Sequence, residues 1–159
     1  MLDEDRRLRL ESTYRKVGPD LWRAVLAFAG GRAEIADDAV AEAFTQAAGR
    51  LDEIRELRPW LYRAAFKIAA GELKRTRELL RTPLTDTEDT GGEMELNELL
   101  DQLNALSPAQ RRVFVLREVF GYPASETAVL LRSSLVAVRD HLHAARKRLR
   151  VQLEREDAR

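Results

Sequence analysis

The sequence has no cysteine, which excludes disulfides and thiolate-based metal or redox sites. Its two histidines, His141 and His143, are two residues apart and so project from different faces of a helix. No acidic cluster beside them completes a metal-ligand set, and no metal is expected. Alternating apolar runs and β-branched clusters are scarce, which leaves little basis for a sheet. No apolar run approaches the roughly 20 residues that cross a bilayer, so membrane insertion is not expected. The opening MLDEDRRLRL lacks the apolar stretch of a signal peptide, and a soluble cytoplasmic protein is the simplest expectation. There is no glycine-rich phosphate loop, and the isolated serines have neither a glycine-flanked elbow nor a nearby partner base. Enzymatic chemistry and a bound cofactor therefore have no sequence support.

Excess charge of one sign is also missing, since 27 Lys and Arg balance 27 Asp and Glu. The charges are nevertheless segregated. Arg58, Arg63, Lys67, Lys74, Arg75, Arg77 and Arg81 form one basic block. Asp86, Glu88, Asp89, Glu93, Glu95, Glu98 and Asp101 form an acidic one. Arg111, Arg112, Arg117, Arg132, Arg139, Arg146, Lys147, Arg148 and Arg150 dominate a second basic block. Two basic blocks around an acidic one point to an anionic partner more strongly than the net charge does.

What remains is rich in Ala, Leu, Arg and Glu, with apolar residues at helical intervals. Leu21, Val25, Phe28 and Ala29 define a first helix that Gly30-Gly31 ends. Asp37 and Asp38 are placed to lead a second helix, with Val40, Phe44, Ala47 and Leu51 along it. Pro59 suits the first turn of a third, whose inward stripe is expected to be Trp60, Ala64, Ile68 and Leu73. The stretch TPLTDTEDTGGE then breaks all periodicity and reads as a flexible linker. The fold class is all-α: two small helical bundles, 1–81 and 98–159, joined by an acidic linker over 82–97.

The second bundle opens with Leu106-Ser107-Pro108-Ala109-Gln110, where Ser107 can cap, Pro108 can start the helix and Gln110 can complete a capping box. Val113, Leu116 and Phe120 give its buried stripe, Gly121 ends it, and Pro123 begins a short helix that stops near Leu131. Arg132-Ser133-Ser134 then forms a turn before a last helix with Leu135, Val138, Leu142, Ala145 and Leu149 inward. A short helix, a tight turn and a longer basic helix make a helix-turn-helix candidate. The outer face of the last helix carries Val136, Arg139, Asp140, His143, Arg146, Lys147 and Arg150. Arg139 and His143 lie where base edges of a major groove would be within reach. Arg146, Lys147 and Arg150 are better placed for phosphates. Trp60 and Trp22 are expected to pack in the core, as large aromatics usually do in small domains.

LSPAQRRVFVLREVFGYPASETAVLL, followed by RSSLVAVRDHLHAARKRLR, resembles region 4 of the extracytoplasmic-function (ECF) sigma factors of bacteria. IADDAVAEAF resembles their region 2.2, and RPWLYRAAFKIAAGELKR their regions 2.3 and 2.4. The resemblance spans about Tyr14 to Leu153. It implies a dissociable, non-catalytic initiation subunit, free in the cytoplasm and nucleoid-associated when in holoenzyme. Region 2 would dock on the β′ clamp helices of core RNA polymerase and capture the minus-ten promoter element. Region 4 would sit on the β flap and read the minus-thirty-five element. Asp38, Ala41, Glu42 and Phe44 fall at polymerase-contacting positions. Arg63, Lys67, Lys74, Arg75 and Arg77 fall in the stretch facing promoter DNA. Arg132, Ser134, Val136, Arg139, Asp140, His143, Arg146, Lys147 and Arg150 are the corresponding DNA-binding positions of region 4. A partner anti-sigma factor is also implied.

The chain departs from the family pattern at several of these places. Gln is common at Ala41, Asn and Asp at Lys67 and Gly71, Gly at Arg132, Thr at Ala137 and Arg at Ala144. An Arg where a turn needs positive φ costs of order 1 kcal/mol, so a differently built turn is expected at Arg132. Ala41, Lys67 and Gly71 support one alternative, a sigma-like module that titrates an anti-sigma factor or a polymerase surface; a further alternative is a simple helix-turn-helix regulator with the N-terminal lobe as a dimerisation or sensor unit.

Overall fold

A computed structural model describes residues 3–80 and 102–158; the expected linker over 82–97 lies outside the described residues. All regular structure among the described residues is helical. In order it comprises α1 (Glu4–Phe28), α2 (Ala33–Gly49), a 3-10 turn (Leu51–Glu53), α3 (Leu57–Leu80), α4 (Pro108–Phe114), a π turn (Val115–Val119), α5 (Ala124–Leu131) and α6 (Leu135–Asp157).

Local chemistry accounts for most of the helix ends. Asp3 caps α1 by accepting the Arg6 N–H at 2.9 Å, and Gly30 and Gly31, both at positive φ, turn the chain after it. The second helix begins at Ala33, a turn earlier than Asp37 and Asp38 suggest, with Glu34 as the first-turn acid. Asp37 instead accepts a 2.7 Å hydrogen bond from Trp22 Nε1, tying α2 to α1. Ser107 and Gln110 form the expected capping box: Ser107 Oγ accepts the Gln110 N–H at 3.2 Å, and Gln110 Oε1 accepts the Ser107 N–H at 3.1 Å. After α4 the ladder widens by one residue, with the Phe120 N–H reaching Val115 O at 3.1 Å. Gly121, at φ +70°, closes that segment.

The inward face of α3 is one residue out of phase with expectation. Its buried residues are Leu57, Leu61, Tyr62, Ala65, Phe66, Ala69 and Leu73, whereas Trp60, Ala64 and Ile68 are only half-buried. Leu73 is the one member of the expected stripe that is buried. At the start of α6, Leu135 is likewise exposed rather than inward, while Val138, Leu142 and Ala145 are buried.

The main core crosses the chain. It joins Leu21, Val25 and Phe28 of α1, Val40 and Phe44 of α2, and Leu61 and Phe66 of α3 to Val115, Leu116 and Leu130 from the C-terminal half. Two smaller clusters complete that half, one of Val113, Ala128, Val138 and Leu142, the other of Leu103, Leu106 and Ala145. The N-terminal and C-terminal lobes are therefore packed against each other, with α3 on α5 and α1 on the π turn. Arg58 Nη2 donates to Glu126 Oε1 at 2.9 Å across the junction.

Candidate nucleic-acid interface

Two surfaces gather the residues singled out from the sequence. The first is on α3. Lys67, Lys74, Arg75 and Arg77 are exposed on it, and Arg63 is half-buried, its Nε donating to Pro59 O at 3.3 Å. Between α2 and α3 runs a groove of about 660 Å³ walled by Trp60, Ile68, Arg63, Lys67 and Arg75 on one side and Glu42, Gln46 and Arg50 on the other. Trp60, expected in the core, is thus a wall of an open groove, an apolar face between cations. Tyr62, next to it but one, is fully buried and closed to any ligand.

The face of α2 presents Asp38, Ala41 and Glu42 to solvent. Glu42 accepts from Gln46 Nε2 at 3.1 Å. Glu72, half-buried on α3, is held above the usual carboxylate range by its burial and then by the charge of Asp38, so a negative spot marks the α2–α3 edge. Phe44 does not share that face. It is 8% exposed and meets Tyr14 edge-on, with ring centroids 5.0 Å apart. Its ring supports the face from beneath. Asp38 and Glu42 are four residues apart and adjacent on the helix, whereas Phe44 lies about 200° around from Glu42 at 100° per residue.

The second surface is the α5–turn–α6 unit. Arg132 occupies the left-handed region at φ 50°, ψ 51°. Its N–H reaches Val129 O at 3.2 Å, and the Ser133 N–H reaches Ala128 O at 2.8 Å, closing the end of α5. The turn is not built differently to suit the arginine; it keeps the geometry that favours glycine. Ser134, expected to touch DNA, caps α6 by accepting the Ala137 N–H at 3.0 Å. The outer face of α6 is open: Val136, Arg139, Asp140, His143, Lys147 and Arg150 are all exposed. Arg146 is exposed too, but its Nε donates to Glu118 Oε1 at 2.6 Å, so it is not a free phosphate ligand in this arrangement.

The packing of the lobes brings one residue from each surface together. Arg63 and Arg132 both line a cleft of about 480 Å³, with Trp60 and Val129 between the lobes. Burial, and then the charge of Arg132, hold Arg63 below the usual arginine range. The strain at Arg132 gives a test with opposed signs. Arg132→Gly is expected to stabilise the fold by about 1 kcal/mol, since glycine adopts this conformation freely. The same change should weaken DNA binding, because it removes a cation next to the recognition helix. Thermal melting and DNA titration of one variant read both effects.

The family described as Sigma-70, region 4 matches residues 96–149. A solved structure of CnrH in complex with the cytosolic domain of CnrY superposes with a TM-score of 0.64 at 26% identity, over 93% of this chain and 89% of that one. Residues 96–149 are thus similar to sigma-70 region 4, and the likeness to CnrH extends over nearly the whole chain. The sigma factor RpoE of Bartonella quintana, solved with the anti-sigma factor NepR, shares the fold with a TM-score of 0.60 at 21% identity, over 91% of this chain and 96% of that one. No curated protein matches the chain. In this chain α4, the π turn, α5 and the part of α6 up to Leu149 fall inside the region 4 match.

Three features of the site carry no signal in the sequence. Trp60 as a groove wall depends on the phase of α3. Glu118 as the partner of Arg146 lies far from it in sequence. Arg111, in a run of apparently solvated cations, is 4% exposed.

Proposed function

We propose that this chain is an ECF sigma factor that directs core RNA polymerase to its promoters through two separate DNA contacts and performs no catalysis of its own. The observation that carries this reading is the outer face of α6. It stands behind a helix-turn-helix turn and a capped N-terminus, and it presents Val136, Arg139 and His143 in its first turns with Lys147 and Arg150 beyond. Arg139 would take paired acceptors of a guanine in the minus-thirty-five element. Lys147 and Arg150 would neutralise phosphates. The cationic groove of α3, with Trp60 as a stacking surface for an unpaired base, would hold the minus-ten strand. Asp38, Ala41 and Glu42 would meet the β′ clamp helices of the polymerase. The family is not one of enzymes, and action on polymerase and promoter DNA puts the protein in the bacterial cytoplasm and on the nucleoid when in holoenzyme.

Arg139→Ala is expected to relax discrimination between promoter sequences, at about 1–3 kcal/mol for the contacted base pair. Arg150→Ala should weaken all sequences alike and flatten the salt dependence. Holoenzyme reconstituted with each variant and assayed on a promoter library separates the two patterns. Equal losses on every sequence from both variants would remove Arg139 from base reading.

A regulatory partner fits the same surfaces. CnrH and RpoE were each solved with a bound protein, CnrY and NepR. In this chain an anti-sigma factor that favours the packed lobes would hold Arg63 and Arg132 in their shared cleft.

A further inference from the structure

A further cavity, of about 390 Å³, is lined by residues of α1, α3 and α4. Its apolar wall includes Phe28, Leu73, Leu106 and Pro108, its rim carries Lys74 and Arg77, and Arg111 closes one end. Among the described residues no carboxylate lines it.

Arg111 is the anomaly in this cavity. It is 4% exposed, yet no ion pair reaches it among the described residues. Nη1 donates to Asn104 Oδ1 at 2.8 Å, and the guanidinium carbon lies 4.8 Å from the centre of the Phe28 ring. The ring offsets part of the charge through its face, but it does not fill the in-plane donors. Nε and Nη2 have no hydrogen-bond partner among the described residues. These two nitrogens form one edge of the guanidinium, the fork that a carboxylate or phosphate meets with two parallel bonds. Burial, and then the neighbouring charge of Arg77, lower the pKa of Arg111 to about 10. A buried charge left unpaired is costly, and proteins rarely keep one without a use.

We propose that this cavity binds a small amphiphilic anion, its acidic head on the Nε–Nη2 edge of Arg111 and under Lys74 and Arg77, its apolar body against Phe28, Leu73 and Leu106. At roughly 30 Å³ per non-hydrogen atom the space holds about a dozen atoms, the size of a medium-chain acyl carboxylate. The volume falls within the usual range for small-ligand sites. The walls come from both lobes: Phe28, Leu73, Lys74 and Arg77 from one, Leu106, Pro108 and Arg111 from the other. Such a ligand binds the packed arrangement better than a separated one and shifts the population toward it.

Decanoate, decanol of the same length and inorganic phosphate serve as probes for the full chain. Decanoate is expected to raise the melting temperature saturably and to shift the Arg111 Nε–H resonance, while leaving the exposed outer face of α6 unperturbed. Decanol and phosphate should each bind about tenfold or more weakly, since each lacks one half of the recognition. Arg111→Lys keeps the charge but loses the fork and should lower decanoate affinity about tenfold. Should that variant fail to fold, the exposed pair Lys74→Ala with Arg77→Ala replaces it, with the same loss expected. Equal responses to decanoate and decanol, a response that never saturates, or decanoate binding untouched in the Lys74/Arg77 double variant would each overturn the proposal.

Discussion

Leu116→Ala is expected to destabilise the chain by about 2–5 kcal/mol, the cost of emptying a well-packed leucine site, and to do so for both lobes at once. Leu116 is wholly buried in the π turn of the C-terminal lobe, yet its neighbours in the core include α1 and α3 residues of the other. The turn is anchored there as well, since Leu116 O accepts the Tyr122 N–H at 3.0 Å. Domains of this size hold about 5–15 kcal/mol in total, so the loss is a large fraction. Both tryptophans, Trp22 and Trp60, belong to the N-terminal lobe. Their fluorescence therefore reports that lobe, while far-ultraviolet dichroism reports all helices. In urea the two midpoints should fall together in Leu116→Ala. Leu142→Ala, in the small cluster formed by α4, α5 and α6 alone, is the control for a change confined to one lobe. An unmoved fluorescence midpoint in Leu116→Ala would mean that the lobes melt as independent units.

That shared core marks the limit of what the sequence discloses. The helix-turn-helix and its leading helix were legible because their signals are local. Ser107 and Gln110 are three residues apart, Pro108 fits the first turn, and Gly121 has the positive φ that a glycine before a new helix suggests. The exposed cations of α6 were legible for the same reason, since one apolar stripe fixes the opposite face. The α3 stripe was not. Trp60, Leu61, Tyr62, Ala64, Ala65, Phe66, Ile68, Ala69 and Ala70 leave two helical stripes one residue apart, both apolar. Periodicity cannot choose between them; contact with α1 and α2 does, and it selects Leu61, Ala65 and Phe66. Leu116 reads as buried from spacing alone, but spacing does not say that the other lobe buries it. Arg111 shows the converse case. Its neighbours Gln110 and Arg112 are polar, and only tertiary packing against Phe28 puts it inside. Phe44 is a lesson in carrying a motif over as a block. Residues matched one by one to a docking helix still divide between its two sides.

Locking the lobes together is expected to abolish joint use of the two promoter elements. The elements that the family's names place about 25 base pairs apart are separated by about 85 Å of B-DNA at ~3.4 Å per pair. A compact chain of this length has a radius of gyration of only about 15 Å. Contact with both elements therefore needs the α3–α5 junction to part. Arg58 and Glu126 face each other there with 41% and 37% of their side chains exposed. An ion pair so wetted is worth about 0–1 kcal/mol, so replacing both with cysteine does not itself open the junction. The natural chain has no cysteine, so a bismaleimide with a reducible spacer will join only the introduced pair. The linked protein should initiate about tenfold or more weakly at a promoter that depends on both elements, and reductant should restore it. Binding to a short duplex carrying the minus-thirty-five element alone should survive the link, because Arg139, His143, Lys147 and Arg150 are exposed while the lobes are packed. Equal initiation before and after cleavage would show that the packed arrangement is the working one. Loss of the short-duplex binding as well would show that the link damages α6 rather than restraining the lobes.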